Sequence, residues 1–253
     1  MKFVTFIIPL GAPVSYKNWD VISHVCNGTL WSISRQTSKN WQCILVCHEP
    51  PIDVIEINNL HILRMDYPPP TTYKECRFDK TRRLSFGFEY MKNNITKYGM
   101  CIDADDRIHE NLVEYIETND NDKGWRIAYG YEYEGGQYAL KRNGKFDKLC
   151  GSSIIHPKES PKFNGYPNTI GHCHAQEYYE SIGQALDIIP FYAAVRTTGY
   201  GENLSDPGVL SWRGWRRTAK RMRHLRLISK KELEKFGLIS YPVPTRRKWR
   251  GWY

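Results

Sequence analysis

The 253-residue sequence has no run of about 18 apolar residues, and this absence argues against a membrane-spanning helix. Its opening segment, MKFVTFIIPLGAP, has one lysine and a short apolar run that Pro9 ends. A secretory signal needs a longer apolar run and a small-residue cleavage site, so we interpret this segment as a first β-strand. We therefore expect a cytoplasmic protein, with peripheral binding to the inner face of the membrane as a further hypothesis.

Cysteine pairs are also missing from the sequence. The number of cysteines is odd, and no two of them form a CxxC motif, which favours buried free thiols over disulfides. A chain of this length buries enough apolar surface to fold without a disulfide or a structural metal. The seven residues are Cys26, Cys43, Cys47, Cys76, Cys101, Cys150 and Cys173.

Acidic residues are scarce in the last part of the sequence. Residues 206–253 contain 14 Lys and Arg against 3 Asp and Glu, whereas residues 1–205 contain 22 basic and 24 acidic residues. We therefore predict a globular domain over residues 1–205 and a basic C-terminal extension over residues 206–253. Charge alone is compatible with nucleic-acid binding, but no recognition motif accompanies it, so nucleic acid is not an expected partner.

The basic extension shows helical periodicity. Its apolar residues recur every three or four positions between arginines and lysines, which predicts an amphipathic helix. Ser229 and Glu232 form a capping box that would start a second short helix ending near Gly237. Such a helix binds an anionic membrane surface, or it packs on the body with its charges solvated. The apolar stripe consists of Trp212, Trp215, Ala219, Met222 and Leu225.

Strand and helix patterns alternate in the first half of the chain, which predicts a mostly parallel sheet with right-handed crossovers. Ligands of such sheets bind at the carboxyl ends of the strands, so residues 9–11, 48–49 and 103–106 should converge. Asn143-Gly144 predicts a hairpin turn. We predict strands over residues 3–8, 41–47, 60–64, 98–102, 125–131 and 188–195, and helices over residues 20–37, 80–97, 110–117 and 174–185.

Three carboxylates in four residues follow the predicted strand at 98–102. If strand geometry continues, Asp103 and Asp105 lie on the same side, where Mg²⁺ or Mn²⁺ could join them to phosphate oxygens. Buried carboxylates need such a positive partner. The alternative is that Asp105 or Asp106 caps the helix that follows.

Several segments together resemble the GT-A nucleotide-sugar glycosyltransferases, in particular glycosyltransferase family 2. The opening TFIIPLGAP is similar to the family's first strand, and residues 29–46 are similar to its TLxSLxxQTxxxWExIVV helix and strand. Residues 80–106, which end in CIDADD, are similar to its KxxxxNxGxxxAxGxYIxFLDADD segment. The resemblance implies an α/β/α sandwich around a mostly parallel sheet, a divalent metal, and an inverting transfer of sugar from a nucleotide donor.

The resemblance also implies roles for individual residues. Asp103 would lie near the ribose and the metal, and Asp105 would bind the metal that bridges the donor diphosphate. Asp106 would support the loop. Lys80 and Arg83 fall where the family contacts the nucleotide or diphosphate, although a solvated helix face would also explain them.

Other parts of the nucleotide site are assigned by position. Pro9 ends the first strand beside the nucleotide in the family pattern. An acidic residue after the second strand often contacts the base, and Glu49 is the substitute that we predict here, with Asp53 as the second choice.

The chain departs from the family where the general base is expected. An acidic ED pair normally precedes a late helix, but counting back from residues 183–190 places Gly171-His172 at that position. A base must lie within hydrogen-bond reach of the acceptor hydroxyl, and histidine has a suitable pKa. We predict His172 as the base, then His174, with Glu177 as a carboxylate alternative. A metal-ligand pair or a helix cap would also explain the two histidines.

The chain has one further segment that fits the family pattern and two that depart from it. Residues 199–205 resemble a closing HGxNxS segment in which some relatives place a histidine near the metal, but this chain has Tyr200. Gly151-Ser-Ser153 falls where the family lines the acceptor pocket. The QxxRW motif of processive synthases is absent, so we expect transfer of a single sugar.

The sequence therefore predicts a metal-dependent inverting hexosyltransferase of surface glycan synthesis. Its donor would be a nucleotide sugar, a UDP-sugar first, and its acceptor a glycan or a lipid-linked hydroxyl. One alternative is a catalytically inactive GT-A domain that binds membranes or glycans through its basic surface. A nucleotidyltransferase is disfavoured because residues 11–15 are poor in glycine and charge for its phosphate loop.

Overall fold

The computed structural model describes residues 2–93, 96–158, 171–202 and 224–244. Within these residues the strands form two sheets. The first contains β1 (Lys2–Pro9), β2 (Trp41–Cys47), β3 (Leu60–Arg64), β4 (Thr96–Cys101), β6 (Trp125–Arg126), β9 (Ile154–Pro157) and β10 (Asp187–Ile188). The second contains β5 (Arg107–Ile108), β7 (Gly130–Tyr133), β8 (Tyr138–Arg142), β11 (Ala194–Thr197) and β12 (Leu225–Leu227). The helices are α1 (Trp19–Ser34), α2 (Tyr73–Lys92), α3 (Leu112–Thr118), α4 (Ala175–Ser181) and α5 (Lys230–Glu234).

The first sheet has the strand order β10-β6-β9-β4-β1-β2-β3. All of its pairs are parallel except those that β9 makes with β4 and β6. The prediction of a mixed α/β fold with a mostly parallel central sheet is therefore confirmed. Because β1, β2 and β4 are parallel, the loops that follow them emerge at the same edge of this sheet.

Helices pack on both faces of the first sheet. Successive side chains of β1 point to opposite faces, and apolar residues lie on each face. Val4, Phe6 and Ile8 belong to one buried cluster together with α1 and α3. Ile7 belongs to another with α2, and Gly87 allows the close approach, since a Cβ atom there would lie 2.6 Å from Ile7 Cγ2. Each large apolar side chain that becomes fully buried contributes about 1.5–3 kcal/mol.

Helix α2 begins seven residues earlier than the sequence predicts. Thr72 caps it, accepting from the Glu75 amide, while the Glu75 carboxylate accepts from the Thr72 amide. This capping box, not apolar periodicity, fixes the start, because the first turns of α2 are polar and exposed. As a result, Lys80 and Arg83 lie within one continuous helix, and both side chains are on the face that lines a cavity.

The second sheet differs most from the sequence predictions. The segments 125–131 and 188–195, each predicted as one strand, are both divided between the two sheets. The hairpin joins β7 to β8 through Gly135 and Gly136, which have φ of 102° and 81°. Gly144 has φ of 76° but leads into a short 3-10 helix, Phe146–Lys148, so the predicted hairpin at Asn143-Gly144 is wrong.

The described part of the predicted C-terminal extension packs against the body. Leu225 lies in β12, which pairs with β8, whereas the rest of the predicted apolar stripe falls outside the described residues. Ser229 caps α5 by accepting from the Glu232 amide, as predicted, and Leu233 and Phe236 join the main core. The division at residue 206 stays a prediction.

No helix among the described residues is long and apolar enough to cross a membrane.

Candidate functional site

A cavity of about 290 Å³ opens at the carboxyl ends of β1 and β4. Its walls come from the loop after β1, one face of α2, the acidic turn of residues 103–106 after β4, and β11 with the segment that follows it. Most of the predicted nucleotide-sugar residues line it, namely Pro9, Lys80, Arg83, Asp103 and Asp105. Asp79, Asp106 and Tyr200 also line it.

The acidic turn is held by hydrogen bonds from distant parts of the chain. The Asp106 amide donates to the Asp103 carbonyl at 3.0 Å, which closes the turn. Ser152 Oγ accepts from the Asp103 amide at 2.8 Å and donates to Asp106 Oδ2 at 2.6 Å. Thr29 on α1 donates to the Ala104 carbonyl at 2.9 Å. The turn therefore has a fixed shape before any ligand binds.

Asp103 forms an ion pair with Lys80, whose Nζ lies 2.5 Å from Oδ1. Burial raises the pKa of Asp103, but the charge and hydrogen bond of Lys80 outweigh it and hold the pKa below its usual range. Asp103 in turn raises the pKa of Lys80. On its other side the carboxylate lies against Gly151, where a Cβ atom would be 2.9 Å from Oδ2. Both groups thus carry charge at neutral pH.

Asp105 accepts a 2.6 Å hydrogen bond from the Tyr200 hydroxyl at Oδ2. Burial and the neighbouring Asp103 raise the pKa of Asp105. Burial and Asp105 likewise raise the pKa of Tyr200, so its hydroxyl stays protonated and acts as the donor. Thr197 donates to the Asp105 backbone carbonyl. Tyr200 thus contacts the acidic turn at the point where the family resemblance places a histidine.

Asp106 points into the protein interior. Its Oδ2 accepts from Ser152 and from the Cys150 thiol, which lies 3.0 Å away. Burial, reinforced by Asp105 and Asp103, raises the pKa of Asp106 well above its usual range. These contacts fit a supporting role in the loop.

Arg83 is joined to a cluster that the sequence analysis did not identify. Asp79 is one helical turn before it and accepts from Arg83 Nε at 2.9 Å and Nη2 at 2.8 Å. The same carboxylate contacts His48 Nε2 and the Tyr67 hydroxyl, each at 2.8 Å. The four-residue spacing of Asp79 and Arg83 was a visible indication of an ion pair on α2. The contacts with His48 and Tyr67 had no local indication.

The candidate bases separate in the structure. His172 is half-buried and lies near enough to Asp103 that its electrostatic interaction contributes to the lowered pKa of Asp103, after the larger effect of Lys80. His174 is exposed and lies near Glu177 instead. Glu177 is engaged by Lys148 at 2.6 Å, and this hydrogen bond lowers its pKa. Only His172 among these three has a described electrostatic contact with the acidic turn.

Glu49 and Asp53 lie away from the cavity lining. Both are exposed, and Asp53 has φ of 49° in a turn whose backbone carbonyl accepts from Asn27. Their proposed contact with the nucleotide base stays a prediction.

The donor groups for a divalent cation are the carboxylates of Asp103 and Asp105. No cluster of three or more His, Cys, Asp or Glu in metal-binding geometry occurs in residues 2–93, 96–158, 171–202 and 224–244. Asp103 and Asp105 are half-buried, and burial together with the charge of Asp103 raises the pKa of Asp105, so a cation between the two carboxylates would relieve their repulsion. The residues therefore fit a cation that also takes phosphate oxygens from a ligand.

Comparison with known proteins identifies the fold. No protein-family model and no curated protein sequence matches this chain. The crystal structure of S. aureus TarS 1–349, a GT-A-type glycosyltransferase, matches with a TM-score of 0.51 and 10% identity, over 78% of this chain and 60% of that one. The structure of S. aureus TarS matches with a TM-score of 0.50 and 12% identity, over 79% and 37% of the respective chains.

A further structure, of S. aureus TarS 1–349 in complex with UDP-GlcNAc, gives a TM-score of 0.49 and 14% identity over 93% and 70% of the two chains. This chain spans only part of the length of the first two TarS structures, 60% of one and 37% of the other. Likeness at these identities establishes architecture. The chain has a mixed α/β fold with a mostly parallel central sheet, and this architecture is similar to that of the two TarS structures with TM-scores of 0.51 and 0.50.

Proposed function

We propose that this protein is an inverting, metal-dependent hexosyltransferase that moves a single sugar from a nucleotide-sugar donor, a UDP-sugar first, to an acceptor hydroxyl. One observation carries the proposal. Two carboxylates of a fixed acidic turn, Asp103 and Asp105, lie in a cavity with the cations Lys80 and Arg83. Opposite charges in one cavity suit a ligand that brings both a diphosphate and a divalent cation.

The binding roles follow from the contacts. Lys80 and Arg83 would neutralise the diphosphate, while Asp103 and Asp105 would hold Mn²⁺ or Mg²⁺. A bound divalent cation supplies a Lewis acid for the leaving diphosphate. Tyr200 keeps Asp105 in place through its 2.6 Å hydrogen bond.

In the transfer itself, the acceptor oxygen attacks the anomeric carbon, and the bond from that carbon to the diphosphate oxygen breaks. The products are the glycoside and a nucleoside diphosphate. His172 is the proposed general base that takes the proton of the acceptor hydroxyl, because among the three candidates it is the one with a described electrostatic interaction with Asp103.

The acceptor and the location are proposed from the sequence. A glycan or lipid-linked hydroxyl of surface glycan synthesis would be presented at the membrane, where the basic residues 206–253 would bind anionic lipid. Flotation with vesicles of neutral and of anionic lipid tests this step. Equal binding to both, or binding that does not depend on residues 206–253, would remove the membrane role.

The first experiment is a thermal-shift screen with UDP, GDP, dTDP and CMP, each with and without Mn²⁺. A nucleotide at 100 times its dissociation constant adds about 2.7 kcal/mol of stability. We expect a metal-dependent shift that Asp105→Ala abolishes and that Asp66→Ala, which removes an exposed carboxylate outside the cavity, retains. No shift with any nucleotide would contradict the proposal.

A second candidate function has its own support. The family's ED pair is missing from this sequence, which favours a catalytically inactive domain that binds membranes or glycans. Release of nucleoside diphosphate from a donor sugar with Mn²⁺ separates the two functions. Nucleotide binding with no release for any donor would favour the inactive domain.

A further inference from the structure

At the β2 side of the cavity, Asp79, His48 and Tyr67 form a cluster around Arg83, and these three residues have no role assigned in the transfer reaction. At its centre is Asp79, which is 4% exposed. One carboxylate oxygen, Oδ1, is 2.8 Å from both His48 Nε2 and the Tyr67 hydroxyl. The other oxygen, Oδ2, accepts from Nε and Nη2 of Arg83. Four donor atoms from three segments of the chain therefore converge on one carboxylate.

Asp79 is ionised in this arrangement. Burial raises its pKa, but the charge of Arg83 and the hydrogen bonds from His48 and Tyr67 outweigh burial and hold the pKa below its ordinary value. An ionised carboxylate only accepts, so His48 carries its proton on Nε2. The orientation of every group in the cluster is thereby determined.

One guanidinium nitrogen of Arg83 does not contact Asp79. Its bidentate contact with Asp79 uses Nε and Nη2, whereas Nη1 is buried and has no hydrogen-bond partner among the residues that the structure describes. The side chain is 4% exposed and lines the cavity. A buried donor of a charged group that lacks an acceptor is costly, so an acceptor is expected from whatever fills the cavity.

Arg83 and Lys80 present their charge in different ways. Lys80 is half-exposed, and the ammonium that pairs with Asp103 lies on a flexible stem, so it can adjust its position to a ligand. The guanidinium of Arg83 is planar, and Asp79 holds two of its three nitrogens. Such a group is suited to select the position of one ligand oxygen, because little freedom remains to be lost on binding.

We propose that Asp79, fixed by His48 and Tyr67, is a positioning residue that aims Arg83 Nη1 at an oxygen acceptor of the donor nucleotide. The inference rests on the proposed function, because it assigns part of the same cavity. A phosphate oxygen and a carbonyl of the base share the required acceptor chemistry. Separate arms of the experiment distinguish them.

The test is a double-mutant cycle of nucleotide dissociation constants, measured by calorimetry in Mn²⁺. Its four proteins are the wild type, Tyr67→Phe, Arg83→Lys and the double variant. The ligand is whichever of UDP, GDP, dTDP and CMP gives the largest thermal shift. Tyr67→Phe is conservative because phenylalanine keeps the aromatic ring and removes only the hydroxyl of a half-buried side chain. Arg77→Lys, the same change at an exposed position of α2, is the matched control.

We expect Arg83→Lys to weaken binding about tenfold or more, since lysine lacks the bidentate fork. Tyr67→Phe should weaken it about threefold in the wild type and not at all when Arg83 is already lysine. Arg77→Lys should bind like the wild type. A purely structural role for Tyr67 would instead weaken binding equally in both backgrounds, and that result would overturn the inference.

The acceptor is identified with fragments of the nucleotide. If Arg83→Lys also weakens the binding of inorganic diphosphate, Nη1 donates to a phosphate oxygen. If the substitution weakens the binding of the nucleoside and leaves the binding of diphosphate unchanged, Nη1 donates to the base or the ribose. Either result supports the positioning role.

Failure of the inference is distinguishable from failure of the proposed function. If no nucleotide binds to the wild type, the proposed function fails and the inference fails with it. If a nucleotide binds, Asp105→Ala abolishes binding and the cycle shows no coupling between Tyr67 and Arg83, only the inference fails.

Discussion

The two sides of the cavity hold their charged groups differently. On the side of α2 and β4, each charge has a described partner: Lys80 pairs with Asp103, Arg83 with Asp79, and Tyr200 donates to Asp105. On the side of α4, His174 is exposed and Glu177 is held by Lys148. The first side is arranged before a ligand arrives, whereas the second shows one candidate, His172, beside the acidic turn.

This difference suggests a division of tasks. Binding a diphosphate needs charges at fixed distances, and the networks on the first side provide them. Proton transfer needs a group that meets an acceptor only when it is bound. Substitutions on the first side should therefore affect nucleotide binding, and substitutions on the second side should affect the rate of transfer alone.

The largest effect should come from the acidic turn. Asp105→Asn keeps the hydrogen bond to Tyr200 but removes a charge that would hold the cation. We expect transfer to fall about 10³-fold, the upper end of the cost of losing one preorganised electrostatic group. Metal-dependent nucleotide binding should be lost as well, as measured by calorimetry. Asp66→Asn is the control, and retention of binding in Asp105→Asn would place the metal elsewhere.

The pH dependence of the free energy of unfolding tests whether His109, which follows β5 of the second sheet, is buried in its neutral form. His109, 7% exposed, packs against Phe191 and Phe236, and burial lowers its pKa to about 4 from 6.5. The folded protein then binds fewer protons than the unfolded chain between pH 4 and 6.5. Stability from this residue is complete above pH 6.5 and is lost as pH falls towards 4, by roughly 3 kcal/mol.

Replacing His109 should therefore flatten that part of the stability curve. His109→Asn keeps an acceptor for the Asn111 amide, and denaturant unfolding between pH 4 and 7 should show a shallower slope, whatever its absolute stability. His174→Asn, at an exposed site, should leave the slope unchanged. Equal slopes in all three proteins would mean that the pKa of His109 is the same in the folded and unfolded states.

The next effect distinguishes the two histidines. His172→Gln should lower the transfer rate about 10²-fold, as expected for a lost general base, while the nucleotide dissociation constant stays within about twofold. His174→Gln should retain nearly full activity because it lies near Glu177 and not near Asp103. Steady-state rates with saturating donor provide the comparison. The opposite ranking would make His174 the base.

The smallest effect concerns the backbone beside Asp103. Gly151→Ala introduces a Cβ atom 2.9 Å from Oδ2, so the carboxylate must shift. We expect about tenfold weaker nucleotide binding in Mn²⁺, in line with the usual cost of overpacking. Gly171→Ala is the matched control, because its nearest contact is an ordinary 3.5 Å to Cys173 Sγ. Unchanged binding in Gly151→Ala would show that Asp103 tolerates displacement.

The sequence predicted the parts of the site that depend on local pattern. The strands at 41–47 and 60–64 have the predicted bounds, and β4 ends two residues before Asp103. Alternating apolar residues and an abrupt change to carboxylates are readable along the chain because each depends on near neighbours. The start of α2 was missed because a capping box, not apolar periodicity, fixes it.

Partners that are distant in sequence were not predictable in this way. Ser152 joins Asp103 to Asp106 from 49 residues away, and His48 reaches Asp79 across 31 residues. The second sheet was misjudged for the same reason, since its segments pair with strands from separate parts of the chain.

The sequence by itself determined a mostly parallel α/β sheet, an acidic turn at the end of one strand and basic residues on the helix before it. Only the tertiary structure decided that Asp79 holds Arg83, that Tyr200 contacts Asp105 and that His172, rather than His174, lies beside the turn. The physical reason is that periodicity and capping act within a few residues. Charge pairing and burial depend on which segments the packed core brings together.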